Sequence, residues 1–495
     1  MSGGTKISNP PNASSLMLTA RSFGNYDLAG ALADLIDNCI VANSTKIDIQ
    51  CEYIKGQNCE VRVRDNGSGM DKETLHAAMR PASTNPDNER SLDDLGRFGW
   101  GMKSASFSQC KILTVISMQD GKANAARWDL DDIDDWSMAV YDHDEALALL
   151  EDPFKGKNGT ELIWSNCDRL SENGRLSEDQ FSALVVSAIK KLSLIFHRYL
   201  SGDNGKFKAL KISVNGTPLD QIDPFCTNNT ATRVFPPEAI TVSESGKTEH
   251  IDMQAYTLPH YSKLTASEYE DYGGAEGYIR NQGFYVYRNR RLIIWGTWFG
   301  LAKHGDLSKL VRIRIDIPNT LDDMWKITVD KSDAQLPAVL KKRMKTLVDT
   351  FRKSSSRVFR SKGANVGNRD RDEVWNKVAR SQRIKYHINR KHPLAKTLKA
   401  ELSKGEKALL KQLLDMIESD IPVDAITADI GANPHSVHQR DVSREAFYEF
   451  TEATVPMIMA RYDDFEIFTT ELKRTEPYAS NWKIVEDFLS KMRPI

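Results

Sequence analysis

The chain has 495 residues, of which 40% are hydrophobic and 27% charged, and its formal net charge is −1. This length is more than one hydrophobic core normally serves, so we expect a soluble globular protein of two or three domains. No run reaches the roughly 18 apolar residues of a membrane span, and the N-terminus lacks an apolar signal core, so we expect a cytoplasmic protein. The six cysteines form no C-x-x-C pair, which argues against a zinc ribbon or a disulfide framework and predicts reduced thiols.

The segment ALADLIDNCIVA, residues 31–42, is the first predicted helix of interest, because its two faces differ sharply. At about 100° per residue, its leucines and Cys39 share one arc, while Asp34, Asp37 and Asn38 gather roughly opposite. Asp and Asn are mediocre helix formers, so helix stability does not explain their presence. The polar face is either a solvated surface or a set of ligand-binding side chains, and the helix alone does not decide between them.

Two half-buried strands are predicted next, in KIDIQCEY and CEVRVRD. Period-two alternation places Asp65 in phase with Val61 and Val63, so its carboxylate points to the apolar side where the strand breaks at the D-N-G turn. Burying an unpaired charge costs several kcal/mol, so Asp65 needs hydrogen-bond donors. A ligand amine or the backbone of its own turn would supply them.

A polar loop then leads into GRFGWGMKSASFS, where Gly96, Gly99 and Gly101 precede a predicted helix. Closely spaced glycines let backbone N–H groups approach an anion, and the positive end of the helix favours phosphate. Lys103 adds a positive charge, although such glycines also mark an ordinary turn. Further on, NGTELIWSN predicts a strand whose Thr160 hydroxyl would lie beside a buried Asp.

These motifs, DLIDN, DNGSGM, GRFGWG and NGT, occur in an order that resembles the GHKL ATPases, named for gyrase, the heat-shock chaperone, histidine kinases and MutL. The resemblance implies a Bergerat-fold α/β sandwich that binds ATP and Mg²⁺. It implies that Asn38 is the magnesium ligand, that Asp65 reads the adenine amino group with Thr160 assisting through water, and that Asp34 is the general base. It also implies nucleotide contacts by Gly67, Gly69, Met70, Gly96, Phe98, Gly99, Trp100, Gly101, Met102 and Lys103.

The general-base position departs from the commonest family pattern, which has Glu where this chain has Asp34. Because Asp is one methylene shorter, the attacking water must lie closer to the helix or be reached through a relay. The substitution leaves ATP binding as the expectation and predicts slow turnover.

The following region predicts an α+β domain that resembles a transducer. Ser177 and Gln180 form a capping box before a long amphipathic helix, and strands are predicted in ALKISVNGTPLDQIDPF, FYVYRNRRLIIW and LVRIRIDIP. Lys331 in WKITVDKSDAQLP matches the lysine with which MutL- and MORC-type ATPases reach from the second domain to the γ-phosphate, the alternative being an ordinary surface lysine. The arginines of YRNRR are further candidates for phosphate or partner contacts.

The C-terminal part carries a basic segment and several predicted helices. Residues 351–400 contain about fifteen Lys or Arg against about three Asp or Glu, which suits either a solvated linker or contact with DNA phosphates. Helical apolar spacing is present in EKALLKQLLDMIES, REAFYEFTEATVPMIMARY and NWKIVEDFLSKM.

The predicted architecture is therefore α+β with five parts. They are an N-terminal strap (1–24), a GHKL ATP-binding domain (25–173), a transducer-like α+β domain (174–350), a basic linker (351–373) and a helical C-terminal domain (374–495).

The resemblance suggests an enzyme, a MutL/MORC-like ATPase. It also suggests that the chain acts as an ATP-dependent homodimeric clamp. In such proteins the segment that corresponds to the strap often crosses to the partner subunit. Relatives of this kind are frequently encoded beside restriction and phage-defence proteins, which suggests a DNA-related or defence role with co-encoded partners and no membrane. One alternative is a scaffold that ATP locks without appreciable hydrolysis. Another is a topoisomerase VI B-like subunit.

Overall fold

The computed structural model describes residues 8–492, apart from 10, 23–24, 84–99, 134–135, 245–246, 275, 306–307, 327, 329–334, 364–371, 381–382, 424, 427–428 and 430–442. The chain separates into two compact units, Met1–Ser355 and Ser356–Ile495. Among the described residues, no helix is both long and apolar enough to cross a membrane.

The strands of the first unit are β1 (Lys46–Glu52), β2 (Glu60–Asp65), β3 (Ile112–Gln119), β4 (Lys122–Asp129), β5 (Ala139–Tyr141), β6 (Gly159–Ser165), β7 (Lys211–Val214), β8 (Thr217–Pro218), β9 (Arg233–Val234), β10 (Glu238–Glu244), β11 (Lys247–Thr257), β12 (Gly283–Arg288), β13 (Arg291–Thr297) and β14 (Val311–Ile317). Its helices are α1 (Ala13–Ala20), α2 (Leu28–Val41), α3 (Lys72–Met79), α4 (Gly101–Gln109), α5 (His143–Ala148), α6 (Glu178–Ile195), α7 (His197–Leu200), α8 (Gly202–Gly205), α9 (Ala266–Gly273), α10 (Gly277–Arg280) and α11 (Asp322–Trp325), with 3₁₀ turns at Tyr261–Lys263 and Asn319–Leu321. Helix α12 (Ala338–Gly363) begins in this unit.

The first sheet has the strand order β5-β4-β3-β6-β2-β1-β7-β8 and is antiparallel except where β1 pairs with β7. Strands β1 and β2 alternate in burial as the sequence predicts, with Val61, Val63 and Asp65 of β2 all buried. Helix α2 begins after Asp27, whose side chain accepts a hydrogen bond from the Gly30 N–H. The apolar face of α2 joins the core of this sheet, and α2 also contacts α4 and α6. Helix and sheet thus enclose one hydrophobic core, as expected for an α/β sandwich.

The second sheet has the order β10-β11-β14-β12-β13, with β9 paired to β11. Strands β12 and β14 are parallel, and the other pairs are antiparallel. Leu340, Met344 and Leu347 of α12 pack into the core of this sheet. The mixed α+β class, with a first sheet domain, a further β domain and C-terminal helices, is confirmed.

The predicted domain boundary at residues 173 and 174 is too early. Strands β7 and β8 extend the first sheet, because Lys46 to Ile49 of β1 pair in parallel with Lys211 to Val214 of β7. Helix α6 begins at the predicted capping box of Ser177 and Gln180, yet it packs into the core of the first sheet. Sequence patterns show that strands exist but not which distant strand each will pair with, so the boundary was misplaced by one crossover.

The predicted linker at 351–373 is also partly wrong, because α12 continues to Gly363. Buried Leu340, Met344, Val348 and Phe351 keep helical spacing into the segment. The serines that suggested a linker do not break a helix whose apolar stripe is already established.

The second unit contains a two-stranded sheet of β15 (Trp375–Arg380) and β16 (Arg383–Ile388). Its helices are α13 (Pro393–Glu401), α14 (Lys404–Ser419), α15 (Arg444–Met459), α16 (Phe465–Leu472) and α17 (Trp482–Met492). The helical core includes Phe447, Val455, Phe468 and Tyr478. The C-terminal domain predicted to be helical does contain these helices, and it also contains the two-stranded sheet at 375–388, which the sequence analysis did not predict.

Candidate active site

The polar face of α2 divides into a buried part and an exposed part. Asp34 and Asp37 are each only 2% exposed, so a solvated surface does not describe them, whereas Asn38 is exposed. The Tyr26 hydroxyl donates a hydrogen bond to Asp34 Oδ2 over 2.7 Å. A buried carboxylate is stable only when hydrogen-bond donors or cations surround it, so both side chains need such partners.

The second partner comes from the second sheet. Arg291, the first residue of β13, places its Nε 2.8 Å from Asp37 Oδ2 and its Nη2 3.5 Å from Asp34 Oδ1. The other arginines of the YRNRR motif also have partners within the chain. Arg288 makes a two-pronged ion pair with Asp322, and the Arg290 guanidinium lies over the rings of Tyr199 and Phe207.

Asp65 lies in a row of polar side chains that crosses three neighbouring strands. In the sheet register Asp65 pairs with Thr160, and Thr160 pairs with Ser117, so the three side chains share one face. The hydroxyls of Ser117 and Thr160 are 2.8 Å apart. The predicted inward direction of Asp65 is confirmed, and the structure brings it together with Thr160.

The Asp65 carboxylate is supported by donors from its own surroundings. Its Oδ1 accepts hydrogen bonds from the Ser44 hydroxyl at 2.8 Å and from the Gly67 N–H at 2.6 Å. The Cys39 thiol is a further donor. Burial raises the pKa of Asp65 above its usual value, while these hydrogen bonds act in the opposite direction. The D-N-G turn thus supplies one of the hydrogen-bond donors that the sequence analysis expects for Asp65. The Asp65 carboxylate remains an acceptor that suits an amine.

The turn after β2 packs so closely that glycine is required. A Cβ at Gly67 would lie 2.6 Å from Ser44 Oγ, and one at Gly69 would lie 1.9 Å from the Met118 carbonyl oxygen. Gly69 also has a φ of +66°, which side chains rarely adopt. The Met70 N–H donates to Ser117 Oγ over 2.8 Å. The D-x-G-x-G turn is therefore bound directly to the row that contains Asp65.

The N-terminus of α4 lies beside Asp34. An ideal Cβ on Gly101 would be 3.9 Å from Asp34 Oδ2, and Trp100 and Met102 flank this position with partly buried side chains. The first N–H groups of an α-helix have no intrahelical acceptors, which suits an anion. Gly96, Phe98, Gly99 and Lys331, all predicted site residues, lie outside the described residues.

Lys103 is buried and bonds to the backbone, whereas its predicted role is to contact phosphate. It is only 2% exposed, and its Nζ donates a hydrogen bond to the Ala78 carbonyl oxygen over 2.8 Å. Burial lowers its pKa from 10.5 to about 8. In the structure this cation therefore binds the backbone near the end of α3, and its contact with phosphate remains a prediction.

Replacing Lys103 by Met tests that contact. If Lys103 binds phosphate, the Kd for ATP at pH 7 should rise about tenfold, the worth of one charged hydrogen bond. The folded pKa of about 8 also predicts that the native affinity falls as the pH rises from 7 to 9, because the ammonium loses its proton, and the variant should lack this fall. Calorimetric titration at pH 7, 8 and 9 measures both effects.

The matched control is Lys72→Met, at an exposed position in the first turn of α3. As the pH rises, the free energy of unfolding should increase while the affinity for ATP decreases. Because burial puts the folded pKa below the unfolded one, the buried ammonium opposes folding at pH 7, and the stability of the fold should rise from about pH 8 to 10.5 as this cost is lost. An unchanged ATP affinity in Lys103→Met would remove it from the phosphate site.

Sequence reasoning missed several supporting residues. Tyr26 lies directly before the N-cap of α2, Ser44 follows that helix, and Ser117 lies on a strand that carried no motif. Arg291 was noted only as a general cation, yet it contacts the α2 carboxylates. Of these residues, only Tyr26 lies beside a local sequence signal, the helix-capping pattern at the start of α2. The contacts of the others depend on the tertiary fold.

Comparisons with known proteins agree with this geometry. A family model described as histidine kinase-, DNA gyrase B- and HSP90-like ATPase matches residues 26–155. The DNA mismatch repair protein MutL of Shewanella piezotolerans is 35% identical over 101 residues, which are 20% of this chain and 16% of that protein. MutL of Shewanella pealeana is 40% identical over 93 residues, which are 18% of this chain and 14% of that protein. The chain thus aligns with about one-sixth of the length of the first of these relatives.

Solved structures also resemble the chain at low identity. The N-terminal domain of a DNA repair protein has 16% identity and a TM-score of 0.40, covering 70% of this chain and 99% of that chain. The ATPase and transducer domains of DNA topoisomerase II from Balamuthia mandrillaris have 10% identity and a TM-score of 0.38, covering 68% of this chain and 86% of that chain.

Residues 26–155, which contain α2, Asp65 and α4, match the GHKL ATPase family, and the pairing of Asp65 with Thr160 continues the first sheet just beyond the matched residues. Within this class, about 100 residues of the chain are similar to MutL proteins. The family assignment made from the four ordered motifs is therefore confirmed.

Proposed function

We propose that this protein binds ATP with Mg²⁺ and hydrolyses it slowly to ADP and phosphate. The observation that carries the proposal is the arrangement around α2. Asp65 is in contact with Cys39 of this helix, and Asp34 of the same helix lies within a few ångströms of the N-terminus of α4. The first is suited to a purine amine and the second to phosphates, which are the two ends of ATP.

Each side chain then has a distinct task. The Asp65 carboxylate accepts a hydrogen bond from the adenine amino group, and Thr160 holds a water beside it. The exposed amide of Asn38 offers an oxygen to Mg²⁺, an ion that commonly combines few protein ligands with substrate phosphates. When bound, the ion neutralises phosphate charge. Asp34 orients the attacking water and accepts its proton.

We further propose that ATP drives homodimerisation of this domain, with the strap (1–24) reaching the partner. Part of that strap is α1, whose Met17 packs in the core of its own chain, and Arg21 pairs with Asp168 at 2.5 Å. These contacts give the strap a fixed base from which residues further towards the N-terminus could extend.

Two measurements on the full chain test the proposal. Steady-state phosphate release with Mg-ATP tests hydrolysis, and sedimentation with and without a non-hydrolysable ATP analogue, repeated with DNA, tests the clamp. A monomer under all conditions would remove the clamp, and the absence of ATP binding would remove the whole proposal.

Lys331 provides a sharper prediction for closure. Lys331→Ala should still bind ATP but fail to dimerise, because a cation from a second domain can distinguish ATP from ADP and join the two. Analytical ultracentrifugation with the analogue measures this. Lys341→Ala, at an exposed position on α12, is the control. Wild-type dimerisation of Lys331→Ala would contradict the assigned role.

A second candidate is a scaffold that ATP locks without appreciable hydrolysis. It is favoured by the short Asp34 side chain, which is already held by Tyr26 and Arg291. A topoisomerase VI B-like subunit stays a further alternative. We also propose a MORC-like, DNA-related or antiviral defence role with co-encoded partners, supported by the family resemblance and by the basic 351–400 segment.

A further inference from the structure

We infer that Arg291 is a positioning residue for Asp34, and that it makes hydrolysis depend on how the β12–β13 hairpin is seated against α2. This inference rests on the proposed ATPase function, because Asp34 matters here as the residue that orients water. It goes beyond that function because it names a side chain of the second sheet, Arg291, that controls a catalytic side chain of the first-sheet domain, Asp34.

The hairpin geometry brings Arg291 to α2. Asn289 and Arg290 form the turn with φ values of +45° and +66°, and Arg291 follows directly at the start of β13. Its guanidinium then faces two carboxylates, with Nε 2.8 Å from Asp37 Oδ2 and Nη2 3.5 Å from Asp34 Oδ1. The side chains of Arg291, Asp34 and Asp37 are 4%, 1% and 3% exposed. Solvent therefore screens this cluster little, and its geometry is strongly constrained.

The hairpin is itself anchored just before its turn and within it. Arg288 binds Asp322 through two hydrogen bonds of 2.8 and 2.9 Å, and both side chains are 3% exposed. The Tyr199 hydroxyl donates to the Asn289 carbonyl oxygen over 2.6 Å. These contacts fix the start of β13 relative to the rest of the second sheet. The side chain of Arg291 therefore moves relative to α2 whenever the second sheet does.

Asp34 is held from two independent directions. Its Oδ2 receives the Tyr26 hydroxyl from the segment before α2, while its Oδ1 faces Arg291. A shift of the hairpin would move one support and leave the other, which would turn the carboxylate. Misplacing a catalytic group by about 1 Å can cost a hundredfold in rate. Seating of the hairpin would therefore act on the chemical step rather than on ATP binding.

The test must avoid leaving a buried charge without its counter-charge, because that destabilises the fold strongly. Arg291→Lys keeps the charge but loses the planar fork that spans both carboxylates. The double variant Arg291→Gln/Asp37→Asn removes one charge of each sign, so the net charge of the cluster does not change, and Asp34 keeps the Tyr26 hydroxyl as a hydrogen-bond donor. Arg343→Gln is the matched control, because Arg343 also pairs with a carboxylate, Glu238, but its side chain is 55% exposed and does not contact the hairpin turn.

Phosphate release, ATP affinity by calorimetry and thermal melting would be measured on the full-length variants. We expect kcat to fall about tenfold in Arg291→Lys and about a hundredfold in the double variant, with the ATP Kd within about threefold of wild type. Arg343→Gln should retain wild-type kcat. A merely structural role would instead lower melting temperature and affinity together with kcat.

The outcomes separate the inference from the proposed function. If the wild type hydrolyses ATP and Arg291→Lys does so at the same rate, the inference is overturned and the ATPase stands. Equal losses of kcat and affinity in every folded variant also overturn it. If the wild type neither binds nor hydrolyses ATP, the proposed function fails and the inference fails with it. Should the double variant not fold, Arg291→Lys alone decides.

Discussion

Replacing Asp65 by Asn is expected to raise the Kd for ATP by at least about a hundredfold, because a site built to accept a hydrogen bond would present a donor to the adenine amine. The variant keeps the volume of the side chain, and one amide oxygen can still accept from the Ser44 hydroxyl and the Gly67 N–H. The amide N–H₂ group must then occupy the position that faces the base. Calorimetric titration with ATP measures the change.

Asp48→Asn is the control for Asp65→Asn. Asp48 lies on the adjacent strand β1 but bonds Ser213 and Lys46, and its side chain is 37% exposed. Its replacement should leave the ATP affinity unchanged. If Asp65→Asn bound ATP within about twofold of wild type, the adenine-binding role of Asp65 would have to be abandoned.

Asp34→Ala should reduce phosphate release about a hundredfold or more while ATP still binds, since a positioned general base contributes about 10²- to 10⁴-fold to a rate. The fold should survive, because Asp37 remains as counter-charge to Arg291 at 2.8 Å. Steady-state phosphate assays and ATP titration on the same preparations separate the rate from binding.

Asp34→Asn distinguishes base chemistry from packing. It preserves the shape of the side chain and can still accept from the Tyr26 hydroxyl, yet it cannot take a proton from water. Loss of hydrolysis in both variants supports the enzyme, whereas equal background rates in wild type and both variants would favour the ATP-locked scaffold.

Local patterns predicted the nucleotide-domain elements well. Alternation along β2 gave the direction of Asp65, and the helical arc of α2 gathered Asp34 and Asn38, because both depend only on backbone period. The same patterns could not show that Asp34 is buried. Its burial depends on Arg291, which reaches α2 through a hairpin far along the chain.

The misplaced boundary between the first two domains has the same physical origin. Pairing of β1 with β7 is a long-range event, and nothing in KISV distinguishes an edge strand of one sheet from that of another. The linker was misjudged for a different reason, because its serines were given more weight than the apolar spacing that continues to Phe351. The site residues at 96, 98, 99 and 331 depend on motif resemblance alone and stay predictions.

The parallel pairing of β1 with β7 has a practical consequence for dissecting the protein. A fragment that stopped at residue 173 would leave β1 with a row of open backbone groups and would strip α6 from the hydrophobic core. Unprotected strand edges promote aggregation, and contacts between distant parts of a chain slow folding. A fragment meant to isolate the ATP-binding half should therefore run past Leu219, which belongs to the same core.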